Sequence, residues 1–174
     1  TEYRGAAAHD NLDEGNNRYQ SAEDGDIAWH CGTSGKYYHP ACRNSNSIGI
    51  EVRPRKVNTK SLKASDTDWY FTDEVLEILD EFTKYLMKKY NIPAENVLRH
   101  YDITRKYCPR PFIGDDINNY HKVSGNEMWK RFKARLSAAP THVVPNEYKV
   151  RVTATALNYR SGPGTSYKIN GTIR

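Results

Sequence analysis

An α/β fold is what this sequence predicts, and three stretches carry the expectation: a long amphipathic repeat beginning at Thr72, an alternating apolar run at 47–52, and a tail of short strand-like segments broken by glycine and proline. The 174 residues, 37% of them hydrophobic, suffice for one proper core and a fragment of a second domain.

The helix over "TDEVLEILDEFTKYLMKKYNIP" rests on Val75, Leu79, Phe82 and Leu86 recurring at helical spacing, with Ile78 and Tyr85 widening the stripe. Thr72 reads as its N-cap. Asp73 and Glu74 suit the positive end of the helix dipole and Lys88 and Lys89 the negative end, and Asn91 followed by Pro93 stops it. A second helix is expected over "NEMWKRFKARL", burying Met128, Trp129, Phe132 and Leu136. The strand "SIGIEV" alternates Ile48, Ile50 and Val52 with Ser47, Gly49 and Glu51. If the isoleucines face the core, Glu51 projects from the other side, next to a glycine that leaves room for a close neighbour. Periodicity alone favours Glu51 as a solvated carboxylate on a half-exposed strand. "NVLRHY" reads as a further strand that delivers His100 to a strand end.

No apolar run approaches the roughly 18 residues of a membrane-spanning helix, and "TEYRGAAAHD" lacks a basic-then-apolar leader, so a soluble chain without membrane insertion or signal peptide is expected. The 26 Lys and Arg against 21 Asp and Glu give a net charge of +5, which favours anionic surfaces such as nucleic acid, acidic lipid or a polyanionic cell wall. Without a recognition helix or an aromatic-basic strand face, nucleic acid is not an expected partner.

The loop "HYDITRKYCP" places His100, Lys106 and Cys108 together. Neutral imidazole and thiolate are both good zinc donors, and catalytic zinc keeps three protein ligands and one open position. A lysine two residues before the cysteine can lower the thiol's pKa and stabilise an oxyanion. By spacing alone, a surface histidine and an inert buried cysteine explain the loop as well.

Taken together, "AWHCG", "NSNSIGIEV" and "RHYDITRKYCPRPF", in this order and at these separations, resemble the zinc-dependent N-acetylmuramoyl-L-alanine amidases, the family of endolysins, autolysins and peptidoglycan recognition proteins. The resemblance covers residues 1–136 and implies a catalytic domain built on a central mixed β-sheet flanked by helices. It implies zinc bound by His100 and Cys108, catalysis by Glu51 and Lys106, a substrate cleft lined by His30 and Asn46, and bacterial peptidoglycan as partner, reached outside the cell at the wall. His30 can equally be a structural histidine beside Trp29.

The same comparison places the family's first zinc ligand, a histidine on an early strand, upstream of Thr1, so the N-terminal strand and the third ligand are expected to be missing from this chain. His9 falls on a helix following that strand, outside the metal shell. A strand-turn-strand segment with an aromatic "HY" pair is expected between Ala22 and Glu23, which abut here.

Cys31 and Cys42 flank "GTSGKYYHPA"; a disulfide, two reduced thiols and, less readily, a structural zinc site all remain open for them. Residues 137–147, "SAAPTHVVPNE", have the composition of a linker. In the tail, Val150, Val152, Leu157 and Tyr159 punctuate strand-like segments around the turn cluster "RSGPGTSYK". "LNYRSGPGT" is similar to the signature of bacterial SH3-like cell-wall-binding domains, which implies a partial domain of that kind over 148–174. Two function classes follow: a zinc amidase cutting peptidoglycan, or a non-catalytic peptidoglycan-binding module of the same fold. Glu51, Lys106 and Cys108 favour the enzyme, since a binder needs neither a general base nor a thiolate ligand.

Overall fold

The computed structural model describes residues 3–4, 8–13, 17–32, 35–138, 157–160 and 168–173. Within them the strands are β1 (Tyr3–Arg4), β2 (Asp10–Asp13), β3 (Asn17–Gln20), β4 (Ile27–Ala28), β5 (Ile50–Val52), β6 (Arg55–Lys56) and β7 (Trp69–Tyr70). The helices α1 (Asp73–Tyr90), α2 (His100–Thr104) and α3 (Gly125–Ser137) follow, and then β8 (Leu157–Arg160) and β9 (Ile169–Ile173). Contacts divide the chain into two units, 1–139 and 140–174.

In the first unit β2 lies between β3, antiparallel to it, and β5, parallel to it, so the sheet is mixed as expected. A parallel pair β1–β4 and an antiparallel pair β6–β7 complete the strands. Alternation then sorts the side chains of the mixed sheet. Leu12 joins the core, with Ile50 and Val52 packed against it, on the face covered by α1, whereas Asn11, Tyr19 and Glu51, side by side in register, share the other face. Tyr19 and Glu51 are exposed there.

α1 forms as its sequence dictates. The Thr72 side chain accepts from the Val75 amide, Asn91 ends the helix in the left-handed region at φ 53°, and its amide donates to Met87 O. Val75, Leu79, Phe82 and Leu86 are buried, but the stripe widens through Leu76 and Thr83. Tyr85, expected inside, is 49% exposed, its ring stacked on Phe82 with centroids 6.0 Å apart. α3 is capped by Ser124, whose hydroxyl accepts from the Glu127 amide at 3.2 Å; it buries Met128, Phe132 and Leu136, with Trp129 only partly covered. Phe112 joins the helices to the sheet: it stacks on Phe132 and meets Phe71 edge-on, with centroids 5.4 and 5.2 Å away.

Three expectations are corrected. The segment thought missing at Ala22–Glu23 is present just before it: β2 at Asp10–Asp13 and β3 at Asn17–Gln20 pair antiparallel, and Ala22 is buried where the chain leaves β3. His9 accordingly opens a strand rather than a helix. "NVLRHY" is no strand either; a 3-10 turn at Ala94–Asn96 leads into α2, which begins at His100. The reason is local: the Asp102 carboxylate accepts from the Arg99 amide at 2.9 Å and pairs with its guanidinium at 2.7 Å, which caps a helix at that point.

No described helix is long and apolar enough to cross a membrane. In the second unit β8 and β9 pair antiparallel, with a register shift at Tyr159/Arg160. Val150 and Val152 lie outside the described residues, as does most of the expected linker; its first residue, Ser137, still belongs to α3.

Candidate active site

Two elements bring the predicted residues together: strand β5, which carries Glu51, and the α2 loop, which carries His100, Lys106 and Cys108. Arg105, in the left-handed region at φ 65°, ends α2 and turns the chain back. The returning Cys108 carbonyl accepts from the Tyr101 amide at 2.9 Å, so the first turn of α2 is closed by the cysteine itself. Arg99 anchors this unit from below. Its guanidinium holds Asp102 and donates to Phe112 O at 2.7 Å, which fixes α2 to the aromatic core.

His100 is half-buried. Its ring bonds the Gly32 backbone, which leaves Nε2 as a buried nitrogen with no partner. Burial first, and then the Lys106 charge, lower its pKa, so the ring is neutral and its free nitrogen is a lone-pair donor. Buried polar atoms are rarely left orphaned, and a buried imidazole lone pair suits a borderline or soft cation. Cys108 is less simple. Lys106 does pull its pKa down, as expected, but burial outweighs the lysine and the Glu51 charge adds to it, so the net direction is up. Glu51 and Lys106 thus both act on the Cys108 sulfur, one from each element.

Among the described residues no group of three or more His, Cys, Asp or Glu converges on one point. His100 and Cys108, joined through the first turn of α2, are donors of the kinds that suit zinc. His9 adds nothing to them, because both its nitrogens are taken. Nδ1 accepts from the Gly49 amide at 3.0 Å, so Nε2 carries the proton and donates to Asp26 O at 3.0 Å. The fully buried ring is a pin between β2 and β5 that sequence reasoning missed.

The close neighbour for which Gly49 leaves room is His30. Nδ1 of His30 donates to Ala28 O at 2.9 Å and Nε2 lies 2.8 Å from Ser47 Oγ; burial lowers its pKa to about 4, so it too is neutral. A Cβ at Gly49 would sit 2.4 Å from His30 Cγ. Gly49→Ala is expected to cost about 1–3 kcal/mol of stability through overpacking, read from the urea midpoint; an unchanged midpoint would show that His30 is free to move. Asn46, expected to line the cleft, is exposed and braces its own loop, accepting from the Arg43 amide at 2.7 Å and donating to Ala41 O at 3.0 Å. Beside Glu51 stands Asn11, whose amide donates to Ser21 Oγ at 2.7 Å. In the sequence it belonged to a stretch with no apolar alternation to mark it as a strand.

Residues 1–111 match the model of the N-acetylmuramoyl-L-alanine amidase family designated Amidase_2, a span that includes Glu51, His100, Lys106 and Cys108. The chain is also similar to N-acetylmuramoyl-L-alanine amidase CwlL of Bacillus licheniformis, 28% identical over 81 residues, 45% of this chain and 22% of that one. A probable N-acetylmuramoyl-L-alanine amidase of the same organism is 26% identical over 95 residues, 53% of this chain and 24% of that one. The matches thus span about a quarter of these relatives' length, and no solved structure matches. With the family model covering residues 1–111 of 174, the chain belongs to the N-acetylmuramoyl-L-alanine amidase family Amidase_2.

Proposed function

We propose that this chain hydrolyses the amide bond between N-acetylmuramic acid and L-alanine in peptidoglycan, as a zinc enzyme whose metal is held by His100 and Cys108. One observation supports this reading above the rest: the buried, partnerless Nε2 of His100, under the charge of Lys106, on the loop that returns Cys108 to the same helix turn, where Lys106 and Glu51 both act on the thiol. The family resemblance puts the third ligand before Thr1. When bound, zinc supplies a Lewis acid that polarises the amide carbonyl and acidifies water.

The chain's own groups do the rest. Glu51, exposed on the open sheet face, takes the proton of the attacking water and passes it to the leaving amide nitrogen. Lys106, exposed at the end of the α2 loop, stabilises the oxyanion as the carbonyl carbon becomes tetrahedral. His30, neutral and pinned on both nitrogens, keeps β5 and the residues after β4 in register rather than moving protons. The products are a glycan with a free lactyl carboxylate and a peptide that begins with L-alanine. The hairpin β8–β9 belongs to an SH3-like segment over 148–174 that holds the wall, and the site of action is the cell wall outside the cell.

The test is an assay for new L-alanine amino termini released from purified peptidoglycan, with zinc measured on the same chain. Stoichiometric zinc with released termini is expected. Wall binding without release would replace this reading with that of a non-catalytic binding module. Lys106→Met is expected to lower turnover about 10²–10³-fold and to leave wall binding, measured by pull-down, unchanged; equal losses in both would make Lys106 an anchor for substrate instead.

A further inference from the structure

Apart from the α2 loop, one other cluster brings two nucleophilic side chains together. Cys31 directly follows His30, and Cys42 lies at the far end of the loop 32–41. The two thiols are hydrogen-bonded to one another, and both interact with the Ser47 hydroxyl, Cys31 Sγ at 3.8 Å. Asn44 fixes Cys31 from another side: its Oδ1 accepts from the Cys31 amide at 2.9 Å and from the thiol at 3.2 Å. His39 and Arg43 stand around Cys42. The His39 Nδ1 accepts from the Cys42 amide at 2.9 Å, and the Arg43 guanidinium donates to Cys42 O at 2.6 Å. All three cysteines of the chain are free thiols.

The pair is unequal in a way that assigns chemical roles. Cys31 is buried and Cys42 half-buried, so an outside reagent reaches Cys42 first. The Cys31 hydrogen bond, helped by Ser47 and by the charges of His39 and Arg43, lowers the Cys42 pKa. The same bond and burial raise that of Cys31. An accessible thiolate with a resolving thiol in contact is the arrangement that reacts reversibly with disulfides.

We infer that Cys31 and Cys42 are a reversible dithiol–disulfide pair, a thiol-modification site for small disulfide oxidants of the glutathione class. The Cys42 thiolate attacks one sulfur of the oxidant, expels one thiolate and leaves a mixed disulfide on Cys42. Cys31 then loses its proton to the expelled thiolate, attacks the Cys42 sulfur and releases the second thiolate, which takes up the proton that Cys42 shed on ionising. Two protein thiols are oxidised and one oxidant disulfide is reduced to two thiols.

The crosslink has a structural consequence at the other site. The loop it closes carries Gly32, whose backbone holds the His100 ring, and Tyr38, whose amide donates to Ile103 O of α2 at 2.7 Å. Oxidation ties down both ends of the segment that supports His100, and the pair needs neither metal nor peptidoglycan to react.

The experiment is treatment of the full, metal-free chain with oxidised glutathione, followed by thiol counting and peptide mapping. The wild type is expected to lose two of its three thiols, to yield a Cys31–Cys42 crosslinked peptide with Cys108 still free, and to recover all three thiols on reduction. Cys31→Ser is expected to stop at a glutathione mixed disulfide on Cys42, and Cys42→Ser to react about tenfold more slowly or less. A crosslink to Cys108, a mixed disulfide on Cys42 that persists in the wild type, or a Cys42 no more reactive than Cys108 would each overturn the inference. The wild-type map decides the matter even if a variant fails to fold, and no cleavage assay enters it, so its failure is separate from that of the amidase reading.

Discussion

Glu51→Ala lowers amide hydrolysis by about 10²–10⁴-fold, the ordinary worth of a positioned general base, while zinc content stays that of the parent chain. Both halves of this expectation follow from where the residue sits. Glu51 lies in the middle of β5 with its backbone paired to β2, and its neighbours Ile50 and Val52 are held by the core; truncating an exposed side chain there leaves the strand in place. His100 and Cys108 are fixed through α2, Gly32 and the Phe112 turn, none of which depends on the glutamate. The measurement is release of L-alanine amino termini beside elemental analysis of the same sample. Retained release would remove Glu51 from its role as base. Lost zinc together with lost release would make it a structural partner of the metal loop.

The face on which Glu51 lies was legible because the strand that bears it alternates cleanly, and α1 was legible because its stripe and both caps are local signals. The strands beside them were not. β2, "DNLD", offers a single apolar residue, and β3, "NRYQ", offers only Tyr19, on the open face. What stabilises that pair is tertiary: Asp10, fully buried, is bonded to Arg18 at 2.9 Å, and the Arg18 guanidinium lies 4.2 Å from the Phe82 ring centroid of α1. No window of sequence contains that interaction, so these strands went unread, their segment was placed in a gap at Ala22–Glu23, and His9 was read as part of a helix. "NVLRHY" failed in the opposite direction. Its Val97 and Leu98 imitate a strand, but the Arg99–Asp102 cap three residues apart overrides them. Of the site, the residue types of His100, Lys106 and Cys108 were readable from the loop. The support of His100 by Gly32, and the contact of Cys31 with Cys42 across the loop between them, depend on how that loop closes in space.

Cys108→Ser is expected to weaken zinc binding by at least about 100-fold, more than the loss that follows removal of an outer-shell partner, and to lower hydrolysis with it. The pH dependence of that loss identifies the ligand. Burial keeps the Cys108 thiol above its ordinary pKa in spite of Lys106, so a metal ion must displace a proton from it. His100 has nothing comparable to give up: burial and Lys106 already hold its ring neutral. Below the thiol pKa, the affinity of the parent chain for zinc therefore rises about tenfold per pH unit, one proton being released for each ion bound. Competition against a chelator at several pH values measures this slope directly. Cys108→Ser should lose both affinity and slope, whereas His100→Ala should lose affinity and keep the slope. A serine variant that binds zinc with the parent's affinity and slope would exclude Cys108 from the metal. A histidine variant that flattens the slope would mean that the displaced proton comes from His100, and that burial in the folded chain does not hold its ring neutral.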